Sequence, residues 1–129
     1  MFTIDHLGIA VKSLSAAKSI YETLGLTASA DEVVEGEQVR VAMLPVGESR
    51  LELLEATSEA SAIAKFTAKR GEGLHHVALT VPDLEAAVVR LKAAGARLLN
   101  EPRAGAGGHL YVFIHPASTG GVLTELIQE

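Results

Sequence analysis

The chain contains two copies of one sequence pattern, offset by 70 residues. Residues 5–26 read DHLGIAVKSLSAAKSIYETLGL, and residues 75–96 read HHVALTVPDLEAAVVRLKAAGA. Six of the 22 aligned positions are identical, and many of the other pairs are apolar in both copies. Such a repeat predicts a fold that is built from two similar supersecondary units.

Each copy is predicted to begin with a strand and to continue with a helix. Residues 4–11 and 74–81 alternate in polarity and carry β-branched residues, as half-buried strands do. Ser13 and Asp83 are predicted to cap the helices that follow. Both helices are predicted to bury one apolar stripe and to end at a glycine. The stripes and glycines occupy the same offsets: Leu14, Ala17, Tyr21, Leu24 and Gly25 in copy one, and Leu84, Ala87, Leu91, Ala94 and Gly95 in copy two.

Further strands are predicted after each helix. In the first half they are residues 39–45 and 50–55, with a weaker candidate at 27–30; in the second they are 97–99, 110–115 and 122–127. Each half is therefore predicted to be a β-α-β-β-β module, and the fold class is α+β. A short helix is predicted in the segment 58–70 between the modules, and loops at 31–38 and 102–108. We expect one domain over residues 1–129, with module one at about 3–56 and module two at about 73–128.

The composition excludes several classes of protein. The chain is 48% hydrophobic, has a net charge of −5 and contains no cysteine. No apolar run approaches the roughly 20 residues of a membrane helix, and the N-terminus does not resemble a signal peptide. The negative charge argues against nucleic acid as a partner. Thiolate ligands and disulfides are excluded, and a cytoplasmic location is expected.

Four residues with metal-binding side chains occupy matching places in the two halves. His6 and His76 lie on the first strands, and Glu52 and Glu125 lie on the last strands at an offset of 73. Residues two positions away from each histidine are apolar or small, so each histidine shares its strand face with non-polar neighbours. A buried carboxylate is costly unless it is paired or binds a metal. Two imidazoles and two carboxylates suit a divalent ion such as Zn, Co, Ni, Mn or Fe.

The remaining histidines have simpler interpretations. His75 is adjacent to His76 and is expected on the opposite face, in a structural role or behind the ligands. His109 follows a glycine-rich loop and is expected to be exposed. For His115, before Pro116, we expect a hydrogen bond to the nearby turn, with a substrate contact as the alternative.

Several longer motifs resemble the vicinal oxygen chelate superfamily and, within it, the methylmalonyl-CoA epimerase family. The most specific are GEGLHHVA at residues 71–78 and HPASTGGVLTEL at residues 115–126. The others are IDHLGIA at 4–10, LELLE at 51–55, AKF at 64–66 and EPR at 101–103, so the resemblance covers nearly the whole chain.

The resemblance implies a curved mixed sheet, a half-barrel, around one divalent metal ion, most often cobalt, with Mn, Zn or Ni as alternatives. It implies a homodimer, an acyl-CoA substrate, and inversion at C2 of methylmalonyl-CoA through an enolate. Its metal ligands map onto His6, Glu52, His76 and Glu125; some members have Gln in place of Glu52. Some epimerases also carry a Glu, proposed as a base, where this chain has Val41. We therefore expect Glu52 and Glu125 to act as catalytic bases as well as ligands.

The sequence contains no phosphate-binding glycine motif with a lysine for coenzyme A. Lys65, Lys69 and Arg70 are candidates for phosphate contacts, with solvated helix charges as the simpler interpretation. The glycine loop at 105–108 and the turn at 118–121 are candidates for backbone approach to substrate, or simple turns.

Other activities remain open on this type of fold. A glyoxalase I-like lyase uses the same kind of ligand set, although the HPASTGGVLTEL segment favours the epimerase. A metal-free small-molecule-binding protein is a further alternative. Extradiol dioxygenases use two histidines and one carboxylate, so Glu52 argues against them.

Overall fold

The computed structural model describes residues 1–129 except for the side chain of Ala106. Each module contains one helix and four strands, which confirms the predicted α+β class and the β-α-β-β-β order. The first module consists of β1 (Thr3–Ala10), α1 (Leu14–Thr23), β2 (Glu32–Val34), β3 (Val39–Val46) and β4 (Ser49–Ala56). After the connecting helix α2 (Ala62–Arg70), the second consists of β5 (Gly73–Val81), α3 (Leu84–Ala93), β6 (Arg103–Ala104), β7 (Leu110–Ile114) and β8 (Leu123–Gln128). No helix of the described residues is long and apolar enough to span a bilayer.

The chain forms two compact units, residues 6–75 and residues 1–5 with 76–129, called here the first and second unit. The strands of the first unit follow the order β2-β3-β4-β1, and those of the second follow β5-β8-β7-β6. In each, the first strand of the module is parallel to its last strand, and the other neighbours are antiparallel. The single domain over residues 1–129 stays a prediction.

Helices cover both faces of the sheet in the first unit. On one face, Leu14 of α1 packs with Ala42, Leu44 and Leu53. On the other face, Ile63 of α2 packs with a second cluster that includes Ala10, Val39 and Leu54. Since neighbouring residues of a strand point to opposite faces, Leu53 and Leu54 contribute to different cores.

The single helix of the second unit, α3, covers only one face of its sheet. Leu84, Ala87 and Val88 of α3 pack with residues of β5, β7 and β8 that all point to this face. The strand residues are Val81, Val112, Ile114 and Leu126. The side chains that alternate with them therefore lie on a face that no helix of this unit covers.

The predicted caps are confirmed at both helices. The Ser13 side chain accepts a hydrogen bond from the Ala16 amide, and the Asp83 side chain accepts one from the Ala86 amide. Gly25 and Gly95 follow the helix ends with φ of 108° and 82°, where glycine is favoured. The ends of both predicted stripes are wrong: Leu24 is 74% exposed, and Ala94 is exposed too. Both residues lie just beyond the last helical residue, so they no longer follow the buried face.

The predicted second strand of each module is displaced. Residues 27–30 form no strand, and β2 instead lies inside the segment predicted as an acidic loop. Residues 97–99 contribute only an isolated bridge from Leu98 to Ile114, and β6 lies inside the predicted glycine-rich loop. Both strands are edge strands of two or three residues, and the neighbouring strand defines their pairing more than their own sequence does.

Candidate metal centre

His6 and Glu52 meet on one face of the first unit. His6 lies on β1 and Glu52 on β4, and the parallel register places Gly8 opposite Glu52, so the histidine is one pleat away. The atoms His6 Nε2 and Glu52 Oε1 are 3.5 Å apart. Their side chains are 8% and 15% exposed. The same strand face carries the buried residues Ala10 and Leu54, which hold the two strands in this position.

His76 and Glu125 repeat this arrangement in the second unit. His76 lies on β5 and Glu125 on β8, with Ala78 opposite Glu125. His76 Nε2 and Glu125 Oε1 are 4.0 Å apart, and the side chains are again 8% and 15% exposed. The two pairs are thus related by the sequence repeat in position, separation and burial.

The geometry of both pairs fits shared coordination of a divalent ion. Ligand bonds of about 2.0–2.2 Å place two neighbouring ligand atoms roughly 3.0–3.5 Å apart. A charge-assisted hydrogen bond between nitrogen and oxygen is shorter, at about 2.7–2.9 Å. The 3.5 Å separation lies at the upper end of this ligand spacing, the 4.0 Å separation is longer than it, and both exceed the hydrogen-bond distance. Each pair could therefore supply one nitrogen and one oxygen to a borderline metal such as Zn or Co.

Different side chains lie beside the two glutamates. Phe113 of β7 is directly opposite Glu125, and its ring contacts His76 edge to face at 6.3 Å. In the first unit, Met43 of β3 occupies the equivalent place opposite Glu52. The second pair therefore lies against a rigid aromatic ring, and the first against a flexible thioether.

Two polar residues that the sequence patterns did not single out fix these neighbours. Ser29 Oγ accepts a hydrogen bond from the Met43 amide at 2.9 Å, and Asn100 Oδ1 accepts one from the Phe113 amide at 2.8 Å. Asn100 also donates to the Tyr111 carbonyl at 3.2 Å. At the repeat offset of 70 the counterpart of Ser29 is Leu99, whose amide binds the Phe113 carbonyl as the Ser29 amide binds that of Met43. Asn100 is one residue further on, so the repeat did not point to it.

The other histidines lie in structural environments. His115 Nδ1 accepts a hydrogen bond from the Ala117 amide at 2.9 Å, which confirms the predicted turn contact. His109 is exposed, as predicted, and its Nδ1 lies 3.2 Å from the Gln128 carbonyl oxygen. His75 contacts Phe66 of α2 edge to face at 5.0 Å.

The other candidate residues are placed as follows. Val41 is half-buried opposite Leu54, within the cluster below α2. The candidate phosphate contacts, Lys65, Lys69 and Arg70, are exposed on α2. In the 118–121 turn, Ser118 Oγ accepts a hydrogen bond from the Arg97 amide, which is a structural role.

Comparison with known proteins identifies the relatives of this chain. The sequence profile of the glyoxalase/bleomycin resistance protein/dioxygenase superfamily matches residues 5–113. An ethylmalonyl-CoA/methylmalonyl-CoA epimerase from Cereibacter sphaeroides is 40% identical over 97% of this chain and 96% of its own length. The uncharacterised protein YqjC of Bacillus subtilis is 40% identical over 99% of this chain and 93% of its own.

A solved structure shows the same likeness. A variant of the methylmalonyl-CoA epimerase of Streptomyces coelicolor, in complex with 2-nitronate-propionyl-CoA, is 42% identical. It superimposes with a TM-score of 0.86 and covers 98% of this chain and 93% of its own.

Proposed function

The chain belongs to the glyoxalase/bleomycin resistance protein/dioxygenase superfamily and, within it, to the methylmalonyl-CoA epimerases, and we propose that it epimerises methylmalonyl-CoA at C2 with the help of a divalent metal ion. The observation that carries the metal dependence is the matched His/Glu pair of each unit, at 3.5 and 4.0 Å. The acyl-CoA substrate is supported by relatives that are named for it or are bound to an analogue of it.

The proposed metal site combines both pairs. His6 and Glu52 supply two ligands, and His76 and Glu125 supply the other two. Both imidazoles are buried and both carboxylates are nearly so, which is costly for the carboxylates unless a positive charge compensates them. An ion that takes more than four ligands would keep coordination positions for substrate oxygens at such a site.

The bound ion would act as a Lewis acid that stabilises the negative charge developing on the thioester oxygen. The C2 proton lies between a thioester and a carboxylate, which makes it acidic. One of Glu52 and Glu125 removes this proton through a carboxylate oxygen, and the C–H electron pair delocalises towards the thioester. The other glutamate starts this step as the carboxylic acid and gives its proton to the opposite side of C2, and the enolate electron pair forms the new C–H bond. Proton exchange with solvent then restores the starting protonation states of the two glutamates.

The sequence repeat, and the position of these glutamates on the strand faces that carry His6 and His76, favour Glu52 and Glu125 as the bases. They are the repeat-related carboxylates that lie on the last strands of the two modules, each beside a histidine. Val41, where some epimerases carry a glutamate, is apolar and half-buried in this chain. The glutamates would therefore have two tasks, binding the ion and carrying protons, whereas His6 and His76 would serve as ligands alone.

The remaining properties are proposed from the family. We expect cobalt as the ion, with Mn, Zn or Ni as substitutes, and the enzyme to work as a homodimer in the cytoplasm. The expected partners are the acyl-CoA and a second copy of the chain, without nucleic acid or membrane.

The first experiment measures metal content and epimerase activity on the same preparation. Protein purified without chelator should contain about one divalent ion per chain and should exchange the C2 proton of methylmalonyl-CoA with deuterium from solvent. Removal of the ion should abolish exchange, and re-addition of cobalt should restore it. Protein without stoichiometric metal, or metal-loaded protein with lyase activity alone, would contradict the proposal.

The second experiment tests the two glutamates separately. Glu52→Gln and Glu125→Gln should each retain the fold but slow C2 exchange by about 100-fold or more in metal-replete protein, since a general base contributes about 10²–10⁴. Glu22→Gln, on the exposed surface of α1, removes the same charge and should leave exchange unchanged. Undiminished exchange in both site variants would exclude the glutamates as bases.

A further inference from the structure

The uncovered face of the second unit carries a row of side chains beside the His76–Glu125 pair. The strand registers place Thr80 of β5 opposite Ile127 of β8, Ile127 opposite Tyr111 of β7, and Tyr111 opposite Arg103 of β6. Residues directly opposite one another share a face of the sheet. Ile127 is two residues after Glu125, so the whole row lies on the same face as Glu125. Three of the four side chains end in a polar group.

The equivalent row of the first unit is different in chemistry and in its surroundings. It consists of Ala10, Leu54, Val41 and Glu32, in the same order across the sheet. Ile63 and Phe66 of α2 pack against its apolar members. At the corresponding positions, the second unit therefore has threonine, tyrosine and arginine where the first unit has alanine, valine and glutamate. No helix of the second unit covers these positions, whereas α2 packs against the row of the first unit.

The row combines polar side chains with partial burial. Thr80, Ile127 and Tyr111 are half-buried, and Arg103 is exposed. Among the residues that the structure describes, no carboxylate pairs with Arg103, and the same is true of Arg90 on α3. Arg103 thus offers a guanidinium, which suits the oxygens of a phosphate or a carboxylate.

Packing holds the Tyr111 ring beside this arginine. The ring contacts Phe113 edge to face at 5.7 Å, and Phe113 in turn lies against His76. On the other side, a Cβ atom at Gly105 would lie 2.8 Å from Tyr111 Cδ1, so the glycine leaves the space that the ring occupies. The Tyr111 and Phe113 rings, called here the aromatic pair, therefore lie between Arg103 and the His76–Glu125 pair.

We propose that Arg103, with the hydroxyl group of Tyr111 on the neighbouring strand, forms a subsite for an anionic group of the acyl-CoA substrate. This inference rests on the proposed function for the identity of the ligand. Two groups of that ligand have the required chemistry, the carboxylate of the acyl part and the phosphates of coenzyme A. Both accept the parallel hydrogen bonds that a guanidinium donates.

The test measures binding by titration calorimetry, independently of turnover, with three ligands. Methylmalonyl-CoA has both anionic groups, propionyl-CoA lacks the carboxylate, and methylmalonyl-pantetheine lacks the nucleotide phosphates. Arg103→Gln should weaken methylmalonyl-CoA binding about five- to tenfold. If the phosphates are bound, the loss also appears with propionyl-CoA and not with methylmalonyl-pantetheine; if the carboxylate is bound, the pattern is reversed.

Matched variants separate a binding role from a general effect of charge. Arg90→Gln removes the same charge from the exposed surface of α3 and should change each Kd less than about twofold. Arg103→Lys should restore part of the affinity, and Tyr111→Phe, which keeps the ring, should lose about two- to fivefold. The unfolding midpoints should stay within about 2 °C of the original protein.

Three outcomes would overturn the subsite: equal affinities of Arg103→Gln and the original chain for all three ligands, a matching loss in Arg90→Gln, or no binding of any ligand by the original chain. Binding that depends on Arg103 without C2 exchange would instead support the subsite and contradict the proposed function.

Discussion

The side chain of Asn100 accepts a hydrogen bond from the Phe113 amide at 2.8 Å, and so holds the strand residue that lies opposite Glu125. Ser29 does the same for Met43, which lies opposite Glu52. Each carboxylate is thus supported across the sheet by a neighbour whose backbone is bound to a polar side chain outside the ladder. The two supporting residues are not at equivalent positions of the repeat, since Leu99 and not Asn100 corresponds to Ser29.

We predict that Asn100→Ala lowers the free energy of unfolding by about 1–2 kcal/mol, because the Phe113 amide and the Tyr111 carbonyl lose their partner. The measurement is denaturant unfolding. Asn100→Asp keeps an acceptor for Phe113 but not the donor for Tyr111, and should lose less. Equal losses in the two variants would show that the hydrogen bond from the Phe113 amide does not account for the loss of stability.

Removal of the metal should destabilise the protein, because an ion that binds only the folded chain stabilises it. With free metal at about a thousandfold over Kd, stabilisation is about 4 kcal/mol, or on the order of 10 °C in the unfolding midpoint. A chelator should therefore lower the midpoint, and His6→Ala or His76→Ala should remove the effect. His109→Ala, at an exposed histidine, should retain it. A midpoint that does not depend on chelator in the original chain contradicts a shared site.

Glu55 links the last strand of module one to the start of α1. Its Oε2 accepts a hydrogen bond from the Leu14 amide at 3.1 Å, and its Oε1 lies 2.9 Å from Arg40 Nη1. Gln128 accepts from the Leu84 amide at 2.9 Å in module two. Glu55→Ala should cost about 1–2 kcal/mol, since an N-terminal amide of the helix loses its acceptor.

Arg40→Ala should cost less than about 1 kcal/mol, because the arginine is 44% exposed and solvent screens the pair. Glu55→Gln, which retains an acceptor for Leu14, should resemble Arg40→Ala in chemical denaturation. A larger loss in Arg40→Ala than in Glu55→Ala would mean that the ion pair, and not the helix contact, is the source of the stability.

Gly105→Ala should disturb the aromatic pair without unfolding the chain. The added methyl group would lie 2.8 Å from Tyr111 Cδ1 and 3.0 Å from Cε1, closer than atoms approach without movement. We expect weaker acyl-CoA binding by about two- to fivefold and a loss of about 1–2 kcal/mol in stability. Gly107→Ala is not a suitable control, because φ at that residue is 69° and any side chain is strained there. Gly36→Ala, with open space around it, is suitable and should be neutral.

Much of the fold and the candidate ligands followed from the repeat. The family, the α+β class, the isomerase class and the helix caps were predicted and are confirmed. The edge strands β2 and β6 were missed because their pairing depends on β3 and β7, which no local pattern reports. Ser29 and Asn100 were missed for a similar reason. A single hydrogen bond to a backbone amide depends on where the side chain lies in the fold, and it leaves no recurring spacing in the sequence. The roles of Glu52 and Glu125 stay predictions.

A substitution at Val41 distinguishes two mechanisms of proton transfer. A glutamate introduced here would lie opposite Leu54 in an apolar cluster, so Val41→Glu should lose about 1–3 kcal/mol in stability. If Glu52 and Glu125 carry the protons, the added carboxylate is unnecessary, and the rate of C2 exchange should stay the same or fall. Val41→Gln has the same size without the charge and is the matched control. A rise in exchange of more than about tenfold in Val41→Glu alone would mean that the chain lacks an efficient base, and that the two ligand glutamates do not provide one.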